Sequence, residues 1–271
     1  PFSYVFVSGT LLVFLIIFLA TPLLNPTLDI IVPLNESRVR HHIFNVNYVI
    51  INQSKHFYLA YLHQSASAAF VVFMIIAVDS LYITIIHHAC GLFAVCGFQV
   101  QQATERNSLN TNAAIIENIR HEEFKRCVKM HYEAVLFYDT LESCCRNLYL
   151  IQMGLNMLII SLTAVVMYLD RPTELIRAVV FLVAQKFHLY VISLPGQVLL
   201  DQSTDFGGKI YDSQWYLMPV NIQRVLNIMQ VRSSRPCILT AGGLYNMNIE
   251  RFGMTVKRCI SYMTMFLSFR E

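Results

Sequence analysis

Five stretches of the chain are apolar over lengths that suit membrane-crossing helices: Phe2 to Leu24, Ala60 to Ile86, Leu148 to Leu169, Ala178 to Leu200, and Ile249 to Phe269. A bilayer core of about 30 Å takes about 20 helical residues. The first and third stretches are uninterrupted. The second carries Asp79 and the fourth carries Gln185, Lys186 and His188, so each needs a face turned toward protein. The last is unusual, because Glu250, Arg251, Lys257 and Arg258 fill its first half. Each charge at a bilayer centre costs roughly 2.5 to 3.5 kcal/mol. Such a helix has to face protein or water for part of its length, as a pore-lining helix does. The expected fold class is all-α, a polytopic membrane helical bundle with five spans.

Two segments between the spans predict further helices. From Ala113 to Cys145 there is no Pro or Gly, and Ile115, Ile119, Val128, Val135 and Leu136 recur near helical spacing among charges. This reads as an amphipathic cytosolic extension of the third span. From Trp215 to Val231 an apolar stripe of Trp215, Ile222, Val225, Leu226 and Met229 stands opposite Gln223, Arg224, Asn227 and Gln230, which predicts a helix packed on protein. Pro236 ends that region, Gly242-Gly243 supplies a flexible turn, and Asn248 caps the last helix with Glu250 near its positive end. The chain divides into residues 1–200, a transmembrane bundle with its cytosolic helix at about 97–147, and residues 201–271, a cytosolic helix followed by the last span.

Composition agrees with a membrane protein: 55% of the 271 residues are hydrophobic and 14% are charged, against roughly 25% charged in soluble domains. The start at Pro1, without Met or a cleavable leader pattern, reads as an N-terminally truncated piece. The net charge of +3, with no basic run, points away from a nucleic-acid partner. Orientation follows from two sequons, at Asn35 and Asn52, both in the loop between the first two spans. They are candidate glycosylation sites and put that loop outside. Parity then puts Gly97 to Asn147 and Asp201 to Asn248 inside and the C-terminus outside. The inside loops hold more Lys and Arg than the outside ones, as the positive-inside rule requires. An outside C-terminus opposes a G-protein-coupled receptor, and neither Asp-Arg-Tyr after a span nor Asn-Pro-x-x-Tyr in the last span occurs. The seven cysteines, Cys90, Cys96, Cys127, Cys144, Cys145, Cys237 and Cys259, are odd in number and irregular in spacing, so packing suits them better than a disulfide framework. Cys127 and His131 lie at i and i+4, but no second pair completes a zinc site. His121-Glu122-Glu123 lacks the second His of a metalloprotease helix, and there is no P-loop, dinucleotide fingerprint or nucleophile elbow. No catalytic residue, metal or cofactor is expected.

The tail carries Tyr211, Trp215 and Tyr216, then Arg232 to Pro236, Leu239-Thr240-Ala241-Gly242-Gly243, Phe252 and Ser261-Tyr262. This set resembles the C-terminal signature of insect odorant receptors. Tyr58, Tyr61, Gln64, Asp79, Ser80 and His87, the segment around Cys127, Val128 and His131, and Pro195-Gly196-Gln197 with Leu200 support the resemblance more loosely. It implies a plasma-membrane subunit of a ligand-gated, nonselective cation channel in a sensory neuron, with no enzymatic activity. The five spans would be the third to seventh of seven, and the helix at Trp215 would belong to the anchor where four subunits meet. Implied partners are a small volatile odorant, a co-receptor in a heterotetramer, and membrane lipid. The co-receptor's long insertion is missing between Gly97 and Asn147, so the chain looks like an odour-tuning subunit. The resemblance places the gate at Met265, Ser268 and Phe269, with Thr264 one position off that face. A second reading stands beside it, in which Met265 and Phe269 pack in the bundle. Lys257 and Arg258 suit anchoring to neighbours or headgroups better than lining a cation path. Candidate odorant contacts are Phe14, Phe18, Gln64, Val71, Phe181 and Gln185, in the outer halves of the spans. Lys186 either pairs with Asp79 or Asp79 reaches the cytosolic interface. The alternative class is a secondary transporter, whose repeated halves and broken helices are not seen.

Overall fold

The computed structural model describes residues 2–32, 42–43, 46, 56–109, 113–168 and 172–268, with backbone alone at 2–7, 107–109, 113–120, 163–168, 172–178, 263, 266 and 267. The chain forms two units, Pro1–Ile83 and Thr84–Glu271. In the first, α1 (Phe2–Ala20) passes through a 3-10 turn (Thr21–Leu23) into α2 (Leu24–Ile31). Pro22 and Pro26 sit in the first turns of these two elements, where a missing N–H costs least. The Thr21 and Thr27 hydroxyls donate back to the Ile17 and Leu23 carbonyls at 2.8 and 2.9 Å. The third helix, α3 (Phe57–Leu109), begins in this unit, and its Tyr61 hydroxyl donates to the Leu19 carbonyl at 2.9 Å.

The second unit is built on long helices that outrun the apolar stretches. It contains the rest of α3, α4 (Ala113–Tyr168), α5 (Pro172–Asp212), a 3-10 turn (Trp215–Leu217), α6 (Val220–Ser233), strands β1 (Thr240–Ala241) and β2 (Tyr245–Asn246), and α7 (Ile249–Ser268). The segment after Leu200, read from the sequence as a loop, continues α5 to Asp212. Gly207 lies within that continuation because Ser233 of α6 presses against it; an added Cβ would stand 2.6 Å from Ser233 Oγ. The single helix expected from Trp215 to Val231 is instead broken. Pro219 has an extended backbone and caps α6, and Met218 before it is extended as proline requires of its neighbour. The expected stripe survives the break: Ile222, Leu226 and Met229 are buried with Met218 against Cys96, Val100, Phe124, Cys127, Phe206 and Ile210, and Trp215 and Val225 pack at the edge.

The Gly242-Gly243 turn is more ordered than expected. It closes a two-stranded antiparallel hairpin in which Thr240 faces Asn246 and Ala241 faces Tyr245. Both glycines have positive φ, +64° and +75°, a conformation side chains resist. Among the described residues the fold is all-α apart from this hairpin. Among the described residues three helical segments are long and apolar enough to cross a membrane: Ser8–Ile31, Phe57–Arg106 and Val179–Asp212. The other two expected spans fall in the last part of α4 and in α7.

Candidate functional site

One column of side chains on α4 holds the hairpin. Tyr138, Glu142 and Arg146 recur every fourth residue and so share one helix face. The Tyr138 hydroxyl donates to the Ile238 carbonyl at 2.9 Å and accepts from the Ile238 N–H at 3.1 Å. The Glu142 carboxylate accepts from the Thr240 N–H at 2.9 Å and from the Thr240 hydroxyl. One turn on, the Gly242 N–H donates to the Arg146 carbonyl at 2.9 Å, and Arg146 Nη2 donates to the Gly242 carbonyl at 3.2 Å. From α5, Ser203 Oγ accepts from the Cys237 N–H at 3.0 Å. Residues 237 to 242 are thus held along their backbone, and their buried side chains, Cys237, Leu239 and Ala241, alternate with the positions 238, 240 and 242 that α4 holds, as a strand's do.

The hairpin delivers the chain to α7 against α5. Met247 is buried and its N–H donates to the Leu239 carbonyl at 2.8 Å. Its carbonyl lies where a side chain at Gly196 would be, 2.0 Å from an added Cβ, so α5 needs glycine there. The next residue, Gln197, accepts from the Ile249 N–H at 3.4 Å through Oε1. Asn248 Oδ1 accepts from the Arg251 N–H at 2.9 Å, which is the cap expected from the sequence, and Glu250 occupies the first turn. The Thr255 hydroxyl pairs with that of Tyr245 at 3.0 Å and ties the second strand to α7.

Beyond this junction α7 has two unlike sides. Thr255 and Cys259 are buried, while Lys257, Ser261, Thr264, Met265 and Ser268 are exposed. The spacing of Ser261, Thr264 and Ser268, by three and four, makes one polar stripe of hydroxyls along the helix, one turn beyond Lys257. Met265, 43% exposed, flanks it, and the Ser268 hydroxyl donates to the Met265 carbonyl at 2.8 Å. Thr264, expected off the face of Met265 and Ser268, is therefore exposed with them. Phe269 lies outside the described residues, as do Asn35 and Asn52.

Burial sets the electrostatics of several groups outside the expected spans. His131 stacks on Phe206, with ring centroids 4.7 Å apart and planes 15° apart. Its burial, with Arg232 nearby, holds its pKa down at about 4. Burial pushes the Tyr138 hydroxyl up to about 12, and the Cys127 and Cys237 thiols up to about 11. These thiols are inert packing groups, and all seven cysteines are free. Of the candidate odorant contacts, Phe14, Phe18, Gln64 and Val71 belong to the first unit and Phe181 and Gln185 to the second. Gln64 is only 2% exposed, Phe14, Phe18 and Gln185 are half-buried, and Val71 and Phe181 are exposed. The sequence reading missed Tyr138, Glu142, Arg146 and Ser203. Tyr138, Glu142 and Arg146 recur at every fourth position of α4, a spacing that suits a solvated helix face equally well, and Ser203 stands alone on α5.

Comparison with known proteins agrees with this architecture. The profile of the family described as 7tm Odorant receptor matches residues 2–260. Odorant receptor Or2 of Anopheles gambiae is 22% identical over 200 residues, covering 71% of this chain and 51% of that protein. Odorant receptor 13a of Drosophila melanogaster is 22% identical over 224 residues, covering 78% and 53%. The chain thus spans about half the length of the curated relatives it matches. The structure of the insect olfactory receptor OR5 from Machilis hrabei in complex with eugenol superposes with a TM-score of 0.73 at 12% identity, over 99% of this chain and 67% of that one. The chain belongs to the 7tm odorant receptor family, a family of membrane receptors and not of enzymes.

Proposed function

We propose that this chain is part of an odour-tuning receptor subunit that binds a small volatile compound and, with co-receptor subunits, opens a nonselective cation path lined in part by α7. The observation that carries the reading is the polar stripe of α7. Its exposed hydroxyls, those of Ser261, Thr264 and Ser268, donate back to the helix's own carbonyls and keep acceptor lone pairs that water in a conduction path can serve and lipid cannot, and Lys257, before the stripe, suits anchoring. The hairpin grip gives that helix a fixed cytosolic base, and the neighbouring α6 region is the anchor at which four subunits meet. In this reading Met265, Ser268 and Phe269 narrow the path, and Phe14, Phe18, Gln64 and Val71 of the first unit and Phe181 and Gln185 of the second are the candidate odorant contacts. The protein sits in the plasma membrane of a sensory neuron with its C-terminus outside, and Asn35 and Asn52 carry glycans. The full-length receptor, expressed with its co-receptor while G-protein signalling is blocked, is expected to give odour-evoked cation current, and little without the co-receptor. A response that needs G protein and survives without the co-receptor would count against the proposal.

A further inference from the structure

Two buried polar atoms in the seam between α4 and α5 lack partners. Along this seam Gln152 Nε2 stands 3.5 Å from His188 Nδ1, and Ile160 packs with Leu182 and with Cys259 of α7. These contacts set an antiparallel register. Asn156, one turn from Gln152 and one from Ile160, then falls opposite the stretch of α5 from Leu182 to His188 that carries Lys186. Asn156 is 3% exposed, and its Nδ2 donates to the Gln152 carbonyl at 3.3 Å, yet Oδ1 is sealed from solvent with no hydrogen-bond partner. Lys186 Nζ is sealed and unbonded in the same way. Buried polar groups are almost always hydrogen-bonded, and an orphaned acceptor and donor at one level of one seam need a common explanation. An ionisable side chain within a span marks a functional site by default.

We propose that Asn156 and Lys186 form a subsite for the hydroxyl group of an otherwise apolar ligand, an inference that rests on the odorant-binding reading above. A single hydroxyl oxygen accepts from Lys186 Nζ while its proton goes to Asn156 Oδ1, so one group satisfies both atoms. A ketone oxygen satisfies Lys186 alone, and a hydrocarbon satisfies neither. Ile160, Leu182 and Cys259 supply apolar surface for the carbon skeleton. Because Cys259 belongs to α7, a ligand seated here lies against the helix that carries the polar stripe.

The test uses purified full-length receptor with its co-receptor, and reads the rise in thermal unfolding midpoint against free concentration of 1-octanol, 2-octanone and octane. This readout needs no gating. Octanol is expected to act at concentrations at least about tenfold below octane, with the ketone between them. Asn156→Leu should bring octanol to the level of the ketone and leave the ketone unchanged, and Lys186→Met should bring the ketone to the level of octane. Equal effects of octanol and octane in the wild-type protein, including no effect of either, would overturn the subsite whether or not the variants fold. So would an unchanged order in both variants. Failure of the channel reading is separate: odour-evoked current would be missing from recordings while the binding order persisted.

Discussion

Glycine to alanine should have opposite effects at two positions of α5. At Gly208 an added Cβ meets nothing within 4 Å, so Gly208→Ala changes only the conformational freedom of the unfolded chain and the helix propensity. That stabilises by about 0.5 to 1 kcal/mol. At Gly196 the same methyl would stand 2.0 Å from the Met247 carbonyl oxygen and 3.2 Å from its carbonyl carbon. These are backbone atoms with no rotamer to escape into. To reach an ordinary contact of 3.4 Å or more, the hairpin has to withdraw from α5. Withdrawal pulls on the Met247 to Leu239 and Ile249 to Gln197 hydrogen bonds that seat α7. Overpacking of this kind costs roughly 1 to 3 kcal/mol, which outweighs the propensity gain. For a unit of this size 1 kcal/mol moves the midpoint by about 2 to 4 °C, so the two variants should differ by about 2 to 12 °C, with Gly196→Ala below and Gly208→Ala at or above wild type. Thermal unfolding of purified full-length receptor measures this. Midpoints that shift together in the same direction would refute the close approach of Met247 to α5.

Tyr138→Phe removes the one hydroxyl that serves both the N–H and the carbonyl of Ile238, and should lower stability by roughly 1 to 3 kcal/mol, read as a lower unfolding midpoint; an unchanged midpoint would mean the grip contributes nothing. His131 predicts a pH dependence. Its imidazole takes a proton near pH 6.5 when unfolded and near 4 when folded, so the unfolded state binds more protons in that window. Stability should fall by roughly 3 kcal/mol as pH drops from about 6.5 to about 4, and His131→Phe should flatten that part of the stability profile.

Local signals in the sequence carried much of this architecture, and contacts across long stretches of chain carried the rest. Asn248 was readable as a cap because its partner, Arg251, lies three residues away, and the buried side of α6 was readable because Ile222, Leu226 and Met229 follow the helical period. Pro219 was a local signal that the apolar stripe overrode, although its missing N–H and its constraint on Met218 mark the start of α6. The grip of Tyr138, Glu142 and Arg146 on residues about a hundred positions later has no local signature, since the same side chains suit a solvated helix face. Gly196 was legible only as part of a family resemblance. Its physical reason, the Met247 carbonyl in the place of a side chain, needs the folded chain.

The claim that the polar stripe of α7 lines the cation path is tested most directly by placing a positive charge on it. A lysine ammonium about 8 Å from a conducting ion, at an effective dielectric of about 20, repels it by roughly 2 kcal/mol. Full-length receptor carrying Ser268→Lys, recorded with its co-receptor at verified surface expression, should pass less odour-evoked cation current or show altered selectivity. Tyr262→Lys is the control, because Tyr262 is exposed but lies about 120° round the helix from Ser268, and it should leave selectivity near that of the wild type. Normal current and selectivity in Ser268→Lys, or equal changes in both variants, would contradict the account.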